Sequence, residues 1–274
     1  MRVTEPIKIV FREVLSKGEF SWPAESSLIS AGQILRREET DILRLNRKGI
    51  LSDEAITGYS ILSAVLSYFL YANVEGLYNL MFEECEKVAI DIQSISGELS
   101  LSDLFKKFAE IRFGHILVKS NGVKHHLSIY DTLELYERGK IKTDLTCGEV
   151  SSTMSSLADD ATLAEVLEEM MSRKVRRIFV EDTTSFVSDR ILISYLFSSS
   201  TLQMLKNEPE RMMDVRMSDL GPIDAVAVDC RMPVAEAAKL LTNKKRDCLV
   251  CEKGVVTHWD CSVKPFQLGK MELL

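Results

Sequence analysis

Apolar positions along the chain switch between two periods. Stretches with apolar residues at i, i+3 and i+4 predict helices, short apolar runs bounded by turn residues predict strands, and this succession recurs four times. The clearest copy begins at Leu101-Ser102-Asp103-Leu104-Phe105-Lys106-Lys107-Phe108, a helix with Ser100 or Ser102 as its N-cap, stopped at Gly114. His115–Val118 reads as a strand, Asn121-Gly122 as a tight turn, and Val123–Ser128 as the return strand. Asp131 then begins a second helix through Leu133, Leu135 and Tyr136. The fourth copy has Pro233 at the first turn of a helix over 234–241, a strand over 247–251, and the return Val255-Val256-Thr257. The third runs through a helix over 162–171, a strand over 178–180 and a return ending at Phe186-Val187-Ser188. The first has a helix over 28–35, a strand over 42–45 and a longer hairpin before Ile56-Thr57-Gly58-Tyr59-Ser60.

Each return strand ends on a hydroxyl residue, and in two copies an aspartate follows three positions later: Ser128-Ile129-Tyr130-Asp131 and Thr257-His258-Trp259-Asp260. In the other copies the pattern reads Ser60-Ile61-Leu62-Ser63, with a weak acceptor, and Ser188-Asp189-Arg190-Ile191, with none. Ser128 and Thr257 stand 129 positions apart, Ser60 and Ser188 128 apart, so the chain is a repeat of a repeat. The spacings 68 (60 to 128), 60 (128 to 188) and 69 (188 to 257) pair the copies, and the run Ser151-Ser152-Thr153-Met154-Ser155-Ser156 marks the seam. This predicts two modules: 1–144, with repeats at about 21–72 and 84–141, and 145–274, with repeats at about 145–200 and 214–270. Taken alone, each Ser/Thr-x-x-Asp also suits the start of a helix, where a hydroxyl caps backbone amides.

Composition removes several function classes. With 46% hydrophobic and 27% charged residues, the 274-residue chain is ordinary globular protein able to bury a large core. A net charge of -7 argues against nucleic-acid binding, while leaving room for a local anion site. Met1-Arg2-Val3-Thr4-Glu5 lacks the apolar run of a signal peptide, so a cytoplasmic location is expected. Residues 55–74 form a twenty-residue uncharged segment, but its Ser, Thr and Asn content and helical periodicity predict a buried interface helix rather than a membrane span. Cys248-x-x-Cys251 invites a metal reading, yet on a strand i and i+3 face opposite sides, so structural thiols are expected and no metal. Four scattered histidines and the absence of glycine-rich phosphate loops predict no enzyme and no catalytic cofactor.

Helix, strand, turn, strand, and Ser/Thr-x-x-Asp opening a second helix resemble the cystathionine-β-synthase-type (CBS) domain, over nearly the whole chain. Four such repeats resemble the arrangement of γ regulatory subunits of AMP-activated kinases. The resemblance implies an α/β (α+β) fold of four CBS repeats, each a small sheet with two helices, paired into two pseudo-twofold modules. It implies AMP, ADP or ATP as regulatory ligand, held in clefts between paired repeats, and a protein partner that reads the altered packing. Asp131 and Asp260 would accept from ribose hydroxyls, and Ser128 and Thr257 would donate to phosphate. Lys124, His126 and Arg177 would supply positive charge, with Arg176, Lys244, Lys245, Arg246, Arg112 and His115 as further cations. Val226 and Ala227, with Val88 and Ala89, would flank the adenine, ordinary sheet core being the competing reading. The rival functions are a ligand-free interaction scaffold and an S-adenosylmethionine sensor. A single-chain disk and a homodimer both remain open.

Overall fold

A computed structural model describes residues 5–16, 21–38, 40–71, 73–242 and 247–274. All four repeats are present. Their first helices are Leu28–Arg37, Leu101–Ile111, Leu163–Arg173 and Val234–Thr242. Their hairpins are Ile42–Arg47 with Ile50–Thr57, His115–Ser120 with Val123–Ser128, Arg177–Val180 with Ser185–Ser188, and Leu249–Cys251 with Gly254–Val256. Their second helices are Gly58–Leu70, Ile129–Glu137, Asp189–Leu196 and His258–Gln267. A short leading strand pairs parallel to the first hairpin strand in each repeat: Ser21–Pro23, Ser94–Ser96, Ser156–Leu157 and Val226–Ala227.

The local reasons are visible in the turns. Asn121 and Gly122 take φ of 51° and 79°, the left-handed pair that a two-residue hairpin with native twist requires. Ser100 caps the first helix of repeat two through a reciprocal box with Asp103, and that helix ends at Ile111 on a left-handed Arg112, not at Gly114. The uncharged segment becomes the helix Gly58–Leu70, and no helix among the described residues is long and apolar enough to cross a membrane.

The compact units cut across the expected boundary at 144. One unit comprises Met1–Glu19, Ile92–Met154 and Ala225–Leu274, and the other Phe20–Asp91 and Ser155–Asp224. The first therefore holds repeats two and four, here the even unit, and the second repeats one and three, the odd unit. In the odd unit, Leu28, Ile56, Ile61 and Val65 share one core with Leu163, Val166, Leu192 and Leu196. The helix Gly58–Leu70 packs there against both helices of repeat three. Gly32 lets helix Leu28–Arg37 approach the Phe197 ring, which a Cβ would meet at 2.4 Å. In the even unit, Leu104, Phe105, Ile116 and Leu133 share a core with Val234, Ala237, Leu249 and Val263. Phe11 and Ile7 from the N-terminal segment complete it. A single repeat leaves one helix face bare, and burial of that face selects the helical partner. Chain spacing reports the order of the repeats, whereas the apolar helix faces decide which of them form a common core.

Candidate functional site

Sheet register identifies the equivalent turns. Ile42, His115 and Arg177 lie opposite Thr57, Ser128 and Ser188, each the N-cap of its repeat's second helix. Thr257 holds the same place in repeat four. The four turns are therefore Thr57-Gly58-Tyr59-Ser60, Ser128-Ile129-Tyr130-Asp131, Ser188-Asp189-Arg190-Ile191 and Thr257-His258-Trp259-Asp260. This corrects the first repeat by three residues: Ser60, not Ser63, stands where the carboxylate belongs. Ser60 Oγ accepts from Thr57 N at 3.0 Å, and Thr57 Oγ1 accepts from Ser60 N at 3.0 Å, so two hydroxyls cap that helix. Ser63 lies exposed, inside the helix. Two hydroxyl residues three apart fit the pattern in either register, which is why the sequence misplaced it.

In repeat two, Asp131 Oδ2 accepts from Ser128 N at 2.7 Å and from Ser128 Oγ at 2.6 Å, closing a capping box. Oδ1 accepts no hydrogen bond from the described residues, and Asp131 is half-buried. The only proton of the Ser128 hydroxyl goes to Asp131, so Ser128 has none left for a phosphate oxygen. Lys124 and His126 alternate onto the strand face of Ser128, both half-buried. His126 Nε2 and His115 Nδ1 share a hydrogen bond at 3.0 Å, and the buried His115 ring stands edge-on to Phe113.

The repeat-four turn adjoins this one in the even unit. The Tyr130 and His258 rings meet edge-on, with centroids 4.0 Å apart. His258 is 4% exposed and shares a hydrogen bond with the Leu241 carbonyl at 3.2 Å, so it is a core residue. Asp260 Oδ2 accepts from Thr257 N at 2.8 Å and Thr257 Oγ1 at 2.7 Å, repeating the capping box and spending the Thr257 proton. Its Oδ1 accepts from Ser152 Oγ at 2.5 Å, and Lys264 Nζ lies 3.6 Å away. Asp260 is 2% exposed.

The remaining expected residues are elsewhere. Arg177 is half-buried in the odd unit, opposite Ser188. Val226 and Ala227 are exposed on a leading strand rather than buried in sheet core. Register puts Gln93 and Ser94, not Val88 and Ala89, in the matching place of repeat two, since Leu117 N bonds Gln93 O where Val250 pairs Ala227 one step on. Lys244, Lys245 and Arg246 lie outside the described residues. Arg176 donates through Nε to Asp189 Oδ2 at 2.7 Å and stands 3.2 Å from Asp41, to which Arg190 also donates at 2.7 Å. That cluster ties repeat three to repeat one and was missed in the sequence, as was Ser152. Cys248 and Cys251 are both buried, and no group of His, Cys, Asp or Glu among the described residues is arranged to hold a metal.

No family model matches the chain, and no curated protein matches it. Solved structures do. A protein of Methanocaldococcus jannaschii, described as a candidate archaeal homologue of γ-AMPK, matches over 94% of this chain and 99% of its own, at 13% identity and a TM-score of 0.79. An uncharacterised conserved protein of Pyrococcus horikoshii matches over 82% of this chain and 91% of its own, at 13% identity and a TM-score of 0.52. A CBS-domain protein of Pyrobaculum aerophilum, complexed with AMP, matches 44% of this chain and 87% of its own, at 15% identity and a TM-score of 0.36. The fold is the tandem CBS-repeat fold, four repeats in one mixed α/β chain.

Proposed function

We propose that the chain is a regulatory protein, not an enzyme, that binds an adenine nucleotide at the turn Ser128–Asp131 and passes the binding event to a protein partner. The observation that carries this is the division of labour within one carboxylate: Oδ2 of Asp131 closes the helix cap while Oδ1 is left to accept from a ribose hydroxyl. Because Ser128 spends its proton on that cap, the phosphates fall to the strand face of Lys124 and His126, where Lys124 supplies the charge. Resemblance to CBS repeats and to γ-AMPK supports AMP, ADP or ATP as the ligand class. Binding transmits because a ligand that favours one packing of the repeats shifts the population toward it.

Calorimetric titration of the purified chain with AMP, ADP, ATP and S-adenosylmethionine tests this. Saturable heat with one or more nucleotides is expected. Heat with S-adenosylmethionine alone moves the ligand to a phosphate-free adenosine compound. The scaffold reading is favoured by one observation, that neither turn of the odd unit carries a carboxylate at the Asp131 position. Absence of heat from all four ligands, with folded and ligand-free protein, establishes it over the sensor.

A further inference from the structure

Asp131 and Asp260 occupy the same position of the same motif, yet their surroundings differ. The seam residue Ser152 bridges Val255 in antiparallel register, with Ser152 N donating to Val255 O at 2.8 Å and Val255 N to Ser152 O at 2.9 Å. That brings its hydroxyl onto Asp260 Oδ1. Lys264, one turn along the helix, donates to Ser151 O at 2.8 Å and to Ser152 Oγ at 3.2 Å, clamping the same segment from the other side. Gly254 makes the approach feasible: a Cβ there would lie 2.3 Å from Ser152 O. Counting back three residues from each N-cap, the matching position in repeat two is His125, which carries the Cβ that Gly254 lacks.

We infer that Asp260 is the anchor of a chain strap, not a second ribose acceptor, so the protein has a single nucleotide-binding carboxylate, Asp131. Both oxygens of Asp260 are engaged, Oδ2 by Thr257 N and Oγ1 and Oδ1 by the Ser152 hydroxyl, with the Lys264 ammonium 3.6 Å away, and solvent reaches 2% of the residue. A ribose could bind only by displacing Ser152 and breaking its backbone bridge. The motif that predicted two sites thus serves twice for helix capping and once for ligand. The count rests on the nucleotide reading above; the strap does not.

Two measurements separate them. The first needs no ligand: thermal unfolding of D131N, D260N, S152A and the D260N/S152A pair. A strap predicts that D260N lowers Tm by at least about 5 °C and more than D131N does, that S152A lowers it measurably, and that the double variant falls short of the sum. Equal shifts for the two aspartates with no effect of S152A overturn the strap. The second is calorimetry with the best-binding nucleotide. One site per chain, abolished by D131N and retained within threefold by S152A and by D260N, is expected. Two sites per chain, or one that S152A leaves and D260N removes from folded protein, overturns the assignment. Binding that survives D131N but is lost in R12A also overturns it, moving the nucleotide to the cavity of about 470 Å³ lined by Lys8, Arg12, Asn121 and His125. If no nucleotide binds at all, the sensor reading and the site count both fall, and the melting data alone decide the strap.

Discussion

Between the two motif aspartates the difference is one carboxylate oxygen: Oδ1 of Asp260 accepts from Ser152, and under the proposed function Oδ1 of Asp131 is the ribose acceptor. Asp131→Ala removes the Oδ1 acceptor together with the cap on Oδ2; loss of hydrogen bonds to a charged acceptor is expected to weaken nucleotide binding by roughly 2–4 kcal/mol. A titration in which folded D131A binds as tightly as the parent would refute the assignment. The hydroxyl-x-x-aspartate motif was legible in the sequence because its residue types are local. The fate of Asp260 was not, because Ser152 lies 108 residues away and reads in sequence only as part of a serine-rich seam. Cysteines show the same limit. Structural thiols were expected at Cys248 and Cys251, but the unequal reactivity of the six follows from tertiary packing. Burial pushes the Cys85 thiol up to about 12 and Cys147 up to about 11, and holds Cys261 well above its ordinary value. Cys230 alone of the six is half-exposed. At pH 8 a thiol-specific disulfide reagent should therefore label one cysteine rapidly in the native protein, and C230S should remove that phase. Rapid labelling of two or more thiols would contradict the packing.

At the scale of elements, hairpins and helices followed the apolar periods closely, and helix starts proved to be the organising feature. Reciprocal boxes cap Leu101–Ile111, Ile129–Glu137, Leu163–Arg173 and His258–Gln267, and the short helix Cys147–Val150 as well. The Asp103 carboxylate is held below its usual range chiefly by the Ser100 hydroxyl, and Glu165 and Glu149 by the backbone amides of Thr162 and Thr146. A carboxylate with a depressed folded pKa stabilises the protein above its ordinary pKa, and that contribution is lost as pH falls through the folded value. Stability should thus decline on acidification below about pH 4.3, the ordinary glutamate value. E165Q keeps a side chain that can close the box but cannot titrate, so its melting temperature should fall less between pH 5 and pH 3 than the parent's. Identical acid limbs would show that the Thr162 cap contributes nothing to the titration. The register of repeat one was the element-level failure: Thr57 and Ser60 both satisfy a hydroxyl pattern, and only the pairing of Thr57 with Ile42 decides between them.

On the scale of the whole molecule, chain order and packing diverge. Spacing joined repeat one to two and three to four, yet the common cores join one to three and two to four. The odd unit is held by more than apolar faces. Asp41 and Asp189 have side chains 6% exposed, and Arg176 bridges both while Arg190 donates to Asp41. Asp41 belongs to repeat one and the other three to repeat three, so the cluster is a polar bolt through the unit. Removing Asp41 leaves two guanidinium groups short of their shared carboxylate; because both are half-buried and Arg176 keeps Asp189, the cost falls below the roughly 3–5 kcal/mol of breaking a fully buried pair. D41A is therefore expected to destabilise the odd unit first. Hydrogen exchange would localise the damage: amides of Ile42–Arg47 and Asp189–Leu196 should lose protection together, with Leu101–Ile111 and Ile129–Glu137 of the even unit retaining theirs. If repeats were cooperative in chain order, protection would instead fall in repeat two along with repeat one, and repeat three would hold. That outcome would mean the shared cores do not set the unfolding units, and that the covalent order read from spacing governs cohesion after all.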